Sequence, residues 1–183
     1  ALADEAARRG WGVTLLLGPV SVAPAEPAVR VERFRTTAEL GELLTRHAPE
    51  CQVLVMAAAV ADYRPKVTGT ATGKIRRTDQ PLVLELEPTP DLLAAASKAR
   101  IPGQLFVGFA LEPRERLRDS ALAKLERKGL DMVVANPLET MDAPTIEATV
   151  FRADGTHIDT GGVIDKSEFA SWLLDVIQAH LRR

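Results

Sequence analysis

LFVGFALEPRERLRDSALAKLERKGLDMVVA, residues 105–135, reads as strand, helix, strand. Leu105 to Ala110 is a short, continuous apolar run of the kind that fills a strand buried on both faces. Pro113 suits a first helical turn, and Gly129 is a natural helix stop, so the spacing predicts a helix between them. Asp131 to Ala135 is a second buried strand. Two buried strands joined through a helix run parallel, with the crossover packed on the sheet.

The same rhythm extends outward. Val13 to Leu17 ends at Gly18-Pro19 and reads as a buried strand. Val29 to Phe34 alternates and reads as another. Thr36 or Thr37 can cap a helix running to His47, and Gln52 to Ala57 is a further strand buried on both faces. Leu82 to Leu86 is strand-like, and Pro90-Asp91 opens a helix through Ala99. Glu147 to Arg152 and Thr156 to Asp159, around Ala153-Asp154-Gly155, read as an antiparallel hairpin. Ser167 is placed to cap a last helix. The fold class expected is α/β: a Rossmann-like, three-layer, mostly parallel sheet with a C-terminal antiparallel hairpin. Such folds usually open on a strand and a phosphate-binding loop. Ala1 to Gly10 already has a helical pattern, so that strand and loop are expected to be missing from this stretch.

Composition narrows the function. The chain has 183 residues, 46% hydrophobic and 26% charged, with a formal net charge of −2. That suits one globular domain with a sizeable core. The longest apolar run, Val53 to Ala61, is nine residues, about half of a membrane span. The sole cysteine, Cys51, excludes an internal disulfide, and His47, His157 and His180 lack metal-ligand spacing. Mixed charge provides no field for a long polyanion such as duplex DNA. A cytoplasmic protein with small ligands, binding neither nucleic acid nor membrane, is the expectation.

In a mostly parallel sheet, ligands bind beyond the carboxyl ends of the strands. The residues there are Ala57-Ala58-Ala59, Gly108-Phe109-Ala110 and Ala135-Asn136. Small residues let a ligand approach the backbone, or let helices pack on the sheet. Asp62 can hold a divalent cation or a ribose hydroxyl, or cap loop amides. Gly69 to Arg77 imitates a phosphate loop but has three residues, not four, before Gly73-Lys74, and Ile75 follows. It is a cationic segment able to close over an anionic substrate, or a solvated loop. Lys124 and Lys128 stand four apart on one helix face and can bind a polyphosphate, or face solvent. Only six of 23 basic residues are lysine, which makes each more informative. Phe109 can face a nucleobase or pack in the core.

These pieces occur together, in this order, in one family. AARRGWGVTLLLGPV (6–20), MAAAVADYRP (56–65), KIRR (74–77), TPDL (89–92), VGFALE (107–112) and KLERKGLDMVVAN (124–136) resemble the synthetase domain of the bacterial bifunctional coenzyme A biosynthesis flavoprotein. That domain is phosphopantothenate–cysteine ligase, or phosphopantothenoylcysteine synthetase. The resemblance implies joining of 4′-phosphopantothenate to L-cysteine with CTP through an acyl-cytidylate, with Mg²⁺. It implies a nucleotide site of Met56, Ala57, Ala58, Asp62, Lys74, Thr89, Pro90, Asp91, Leu92, Phe109, Lys124 and Lys128. Ala59 and Arg76 fall on the substrate side, Asp62 on the metal, and Lys74 matches the first, catalytic lysine of a mobile Lys-x-Lys-Lys flap at about 64–80. Arg76 and Arg77 stand where the flap has lysines, and Thr89 where an asparagine is common. The family is dimeric, often fused to an upstream flavin-dependent decarboxylase domain, and its N-terminal glycine- and serine-rich segment has no counterpart. Residues 1–183 then form one synthetase domain, incomplete at its N-terminus. The residues alone leave two rivals: a dinucleotide-dependent reductase, and a non-catalytic nucleotide-binding module.

Overall fold

The computed structural model describes residues 1–66, 79, 81 and 83–182. The centre of the molecule is a five-stranded sheet. Its parallel part comprises β3 (Val53–Met56), β6 (Leu105–Glu112) and β7 (Met132–Pro137). Strands β9 (Thr149–Arg152) and β10 (His157–Asp159) continue it antiparallel, giving the order β10-β9-β7-β6-β3. A parallel pair, β1 (Thr14–Leu17) and β2 (Arg30–Arg33), forms a separate ladder. The fold is thus mixed α/β with a mostly parallel central sheet and antiparallel hairpins.

Period-two alternation divides the core into two layers. Leu105, Val107, Met132 and Val134 face one side, against Leu173 and Ile177 of helix α5 (Lys166–Leu181). Helix α1 (Leu2–Arg8) lies on the same side, held to α5 as Arg9 donates to Asp175 at 2.6 Å and to the Ser171 hydroxyl at 2.6 Å. Phe106, Val133 and Ala135 face the other side. There they meet α2 (Thr37–His47), α3 (Leu92–Lys98) and α4 (Leu117–Lys128). All of β7 is buried, and each large side chain so enclosed contributes roughly 1.5–3 kcal/mol.

Local signals explain the helix ends. Thr36 and Glu39 form a reciprocal capping box at α2. Asp91 caps α3, and its Oδ1 accepts from the Ala94 amide. Gly129, at φ 61°, closes α4 in the left-handed conformation.

Several expectations need correction. Helix α4 begins at Leu117, because residues 113–116 form a turn. The last helix starts from Asp165 rather than Ser167, and the Asp165 side chain makes no capping hydrogen bond. Strands β1 and β3 are only partly buried, since each is the terminal strand of its ladder. The strand expected over Leu82 to Leu86 is β5 (Leu86–Pro88), paired antiparallel with β4 (Tyr63–Pro65). That ribbon is tied by ion pairs of Arg64 with Glu87 at 2.7 Å and Lys66 with Glu85 at 2.9 Å. A further short pair, β8 (Thr145–Ile146) with β11 (Ile164–Asp165), also escaped the sequence reading. The expected hairpin is present as β9 and β10. Among the described residues, no helix is long and apolar enough to cross a membrane.

Candidate functional site

A cavity of about 920 Å³ opens beyond the carboxyl ends of β3, β6 and β7. That is the upper end of the range for small-molecule sites. Met56, Ala57, Ala58, Ala59 and Asp62 line it from the β3 side. Thr89, Pro90, Asp91 and Leu92 line it from the start of α3, and Phe109, Lys124 and Lys128 from β6 and α4. Residues more than 70 positions apart in sequence therefore share one wall system. Lys74 and Arg76 lie outside the described residues, as does most of the flap.

The three small-residue clusters divide between the two uses they allow. Ala57, Ala58 and Ala59 are exposed to the cavity. Gly108 serves packing: a Cβ there would come within 2.8 Å of Leu130 and 3.1 Å of Leu93, and 3.9 Å of the Lys124 stem. Glycine thus lets α3 and α4 close on β6 and lays Lys124 across it. Ala135 is fully buried and also serves packing. The Ala57–Asp62 loop is clamped by Thr89, whose amide donates to the Asp62 carbonyl at 2.8 Å and whose hydroxyl donates to the Ala61 carbonyl. Phe109 does two jobs. Its ring meets Phe169 edge-on at 6.4 Å, and it also lines the cavity.

The two lysines differ. Lys124 is half-buried, and its ammonium donates to the Phe109 carbonyl. Burial, reinforced by the neighbouring Lys128 charge, pulls its pKa below the usual lysine value. Lys128 instead donates to Asp91 Oδ1 at 2.8 Å, and Arg127 lies 3.6 Å from Asp91 Oδ2. Burial works against the Asp91 charge, but the Lys128 hydrogen bond and the Ala94 amide outweigh it and hold its carboxyl below the ordinary value.

One polar group of this cavity was named in the sequence reading only by its place at a strand end, with no role for its side chain. Asn136, at the end of β7, is 8% exposed and lines the cavity. Its Nδ2 donates to Thr140 Oγ1 at 2.8 Å, and that hydroxyl donates to the Pro137 carbonyl at 2.7 Å. The Thr140 proton is committed, so Oγ1 can only accept from Asn136. This fixes the amide orientation and leaves the Asn136 carbonyl oxygen, with the second amide hydrogen, for a ligand. The sequence signal was a polar residue closing an otherwise apolar strand, with a threonine four residues on.

The Asp62 carboxylate makes no hydrogen bond or ion pair among the described residues. No group of three or more histidine, cysteine or acidic residues that could hold a metal exists among them either. An unpartnered carboxylate is a donor of the kind that Mg²⁺ takes together with waters and ligand oxygens.

Residues 1–181 match the model of the DNA/pantothenate metabolism flavoprotein C-terminal domain. The chain is 35% identical over 196 aligned residues to the coenzyme A biosynthesis bifunctional protein CoaBC of Mycolicibacterium smegmatis, covering 100% of the chain and 46% of that protein. It is 42% identical over 168 residues to a protein named cysteine/cysteine sulfinic acid decarboxylase from an unknown prokaryotic organism, covering 92% and 45%. The chain thus spans about half the length of these curated relatives. Among solved structures, the crystallised C-terminal domain of a CoaBC protein superposes with a TM-score of 0.80 at 29% identity, covering 99% of this chain and 80% of that one. The DNA/pantothenate metabolism flavoprotein from Streptococcus pneumoniae superposes at 0.82 with 23% identity, covering 98% and 86%, and so speaks to the fold.

Proposed function

Because the chain belongs to the DNA/pantothenate metabolism flavoprotein C-terminal domain family, we propose that it is a phosphopantothenate–cysteine ligase domain of coenzyme A biosynthesis, driven by CTP. The observation that carries the reading is the convergence of Lys124 and Lys128 with Asp62 and the Ala57–Ala59 backbone on one cavity.

A carboxylate does not condense with an amine in water unless it is activated. In the proposed first step, the 4′-phosphopantothenate carboxylate attacks the α-phosphorus of CTP, and pyrophosphate leaves. In the second, the cysteine amine attacks the acyl carbon, loses a proton, and CMP leaves. The first step brings two anions together, so fixed cations matter. Lys124 and Lys128 meet the triphosphate as point charges. The Asn136 carbonyl oxygen accepts a hydroxyl or amine proton of the ligand. Ala57 to Ala59 let the ligand reach backbone groups, and Phe109 walls the cavity against water. Asp62, with phosphate oxygens and water, would hold Mg²⁺, which supplies neutralisation of phosphate charge when bound. Lys74 is assigned to the acyl carbonyl in the second step, and Arg76 to the substrate, on resemblance.

Two wider elements belong to the same proposal. A homodimer is supported by the β4–β5 ribbon, which leaves Tyr63 61% and Leu86 54% exposed. Fusion to a flavin-dependent decarboxylase domain is supported by the greater length of the relatives. The test is chemical: pyrophosphate release from CTP that requires 4′-phosphopantothenate, and CMP release that further requires L-cysteine. Pyrophosphate release indifferent to the acid, or none, overturns the reading.

A further inference from the structure

The cavity holds two lysines in different states, and the difference assigns a role to Asp91. Lys124 makes no ion pair among the described residues; its partner is a neutral carbonyl. Lys128 is neutralised by a carboxylate at 2.8 Å, and its side chain is only 15% exposed. That carboxylate is not free to move: it caps α3 through the Ala94 amide at 3.1 Å, and Arg127 stands on its other oxygen. Asp91 also lines the cavity. A phosphate arriving there meets one unpaired ammonium, Lys124, and two cations, Lys128 and Arg127, already drawn to a carboxylate. A fixed carboxylate beside it adds repulsion.

We propose that Asp91 is a positioning residue that latches Lys128: it holds the ammonium at the cavity wall in the empty site and competes with the triphosphate for it. This rests on the nucleotide reading above but differs from a direct ligand role for the Asp91 carboxylate. A ligand carboxylate would strengthen nucleotide binding; a latch weakens it. The latch also keeps Lys128 from wandering to solvent and lowers the hold on the departing pyrophosphate.

Asp91→Asn separates the possibilities, because asparagine caps a helix as well as aspartate but carries no charge. Asp91→Ser does the same with a different geometry and guards against a folding artefact. Calorimetric titration of the whole chain with CTP and with inorganic tripolyphosphate, in low salt with Mg²⁺, should show binding about two- to fivefold tighter in both variants, the yield of releasing one partly exposed ion pair. The gain should vanish in a Lys128→Met background and shrink as salt rises. In turnover, KM for CTP should fall while kcat does not rise. Weaker or unchanged binding in both variants overturns the latch, and so does an equal gain with and without Lys128. If neither probe binds the unmodified chain, the nucleotide reading falls and the latch falls with it.

Discussion

Two walls of the cavity differ in their chemistry. The wall built by α3 and α4 is charged: Asp91, Lys124, Arg127 and Lys128. The end of β7 instead presents a neutral group, the buried amide of Asn136 aligned by the Thr140 hydroxyl, with Asp142 farther along the lining. A charged wall attracts an anion from a distance but tells one phosphate poorly from another. A buried, oriented acceptor attracts little, yet a ligand lacking the matching donor leaves it unpaired. The first should govern affinity and the second discrimination, and the two should respond differently to salt.

The largest effect is expected at Lys124. Lys124→Met should cost about 2–5 kcal/mol of nucleotide binding, the usual loss when one partner of a charge pair desolvated on binding is truncated. The same change should not destabilise the empty chain, because it removes a charge that burial disfavours. Calorimetry and thermal unfolding read the two. The pH dependence follows from the lowered pKa. Below it, Lys124 is charged and binds phosphate. As pH rises through it, still short of the usual lysine range, affinity should fall. For the empty chain the sign reverses: between the folded and unfolded pKa values the unfolded state binds more protons, so stability rises with pH. Lys124→Met should flatten both profiles over that window.

Next comes the floor beneath the charged wall. Gly108→Ala forces a methyl against Leu130 and Leu93 and should cost about 1–3 kcal/mol in denaturant unfolding. It should also weaken nucleotide binding, because the Lys124 stem lies over the same spot. A variant of normal stability would show that α3 and α4 do not press on β6 as closely as described.

The neutral wall should give the smallest change. Thr140→Val leaves the Asn136 amide and the Pro137 carbonyl without their partner, at about 1–3 kcal/mol of stability. Nucleotide affinity should drop a few-fold, with a salt slope equal to that of the unmodified chain. Lys124→Met, by contrast, should reduce that slope. Equal slopes in both variants would erase the distinction between the walls.

The charged wall was legible in the sequence; of the neutral one, only the place of Asn136 at a strand end was, and not its side-chain orientation. Lysines four apart in an arginine-rich chain stand out, and helical periodicity puts them on one face. Asn136 is a single polar residue ending an apolar strand. Its orientation depends on a hydroxyl beyond a proline, which no periodicity reports. The buried strands β6 and β7 were readable because burial on both faces imposes continuous apolar sequence. Strand β4 escaped because a ribbon exposed on both faces imposes no pattern, and Pro65 argues against a strand. Ser167 was the more obvious cap in sequence, but the short β8–β11 pair brings the chain into α5 at Asp165 instead.

The measurement that bears most directly on all of this is calorimetric titration of the chain with CTP and with cytidine, side by side, with Mg²⁺. If the α3–α4 wall holds the triphosphate, CTP should bind at least tenfold tighter than cytidine, and Lys124→Met should bring the two together. Equal affinities in the unmodified chain, or a gap that Lys124→Met leaves intact, would contradict it.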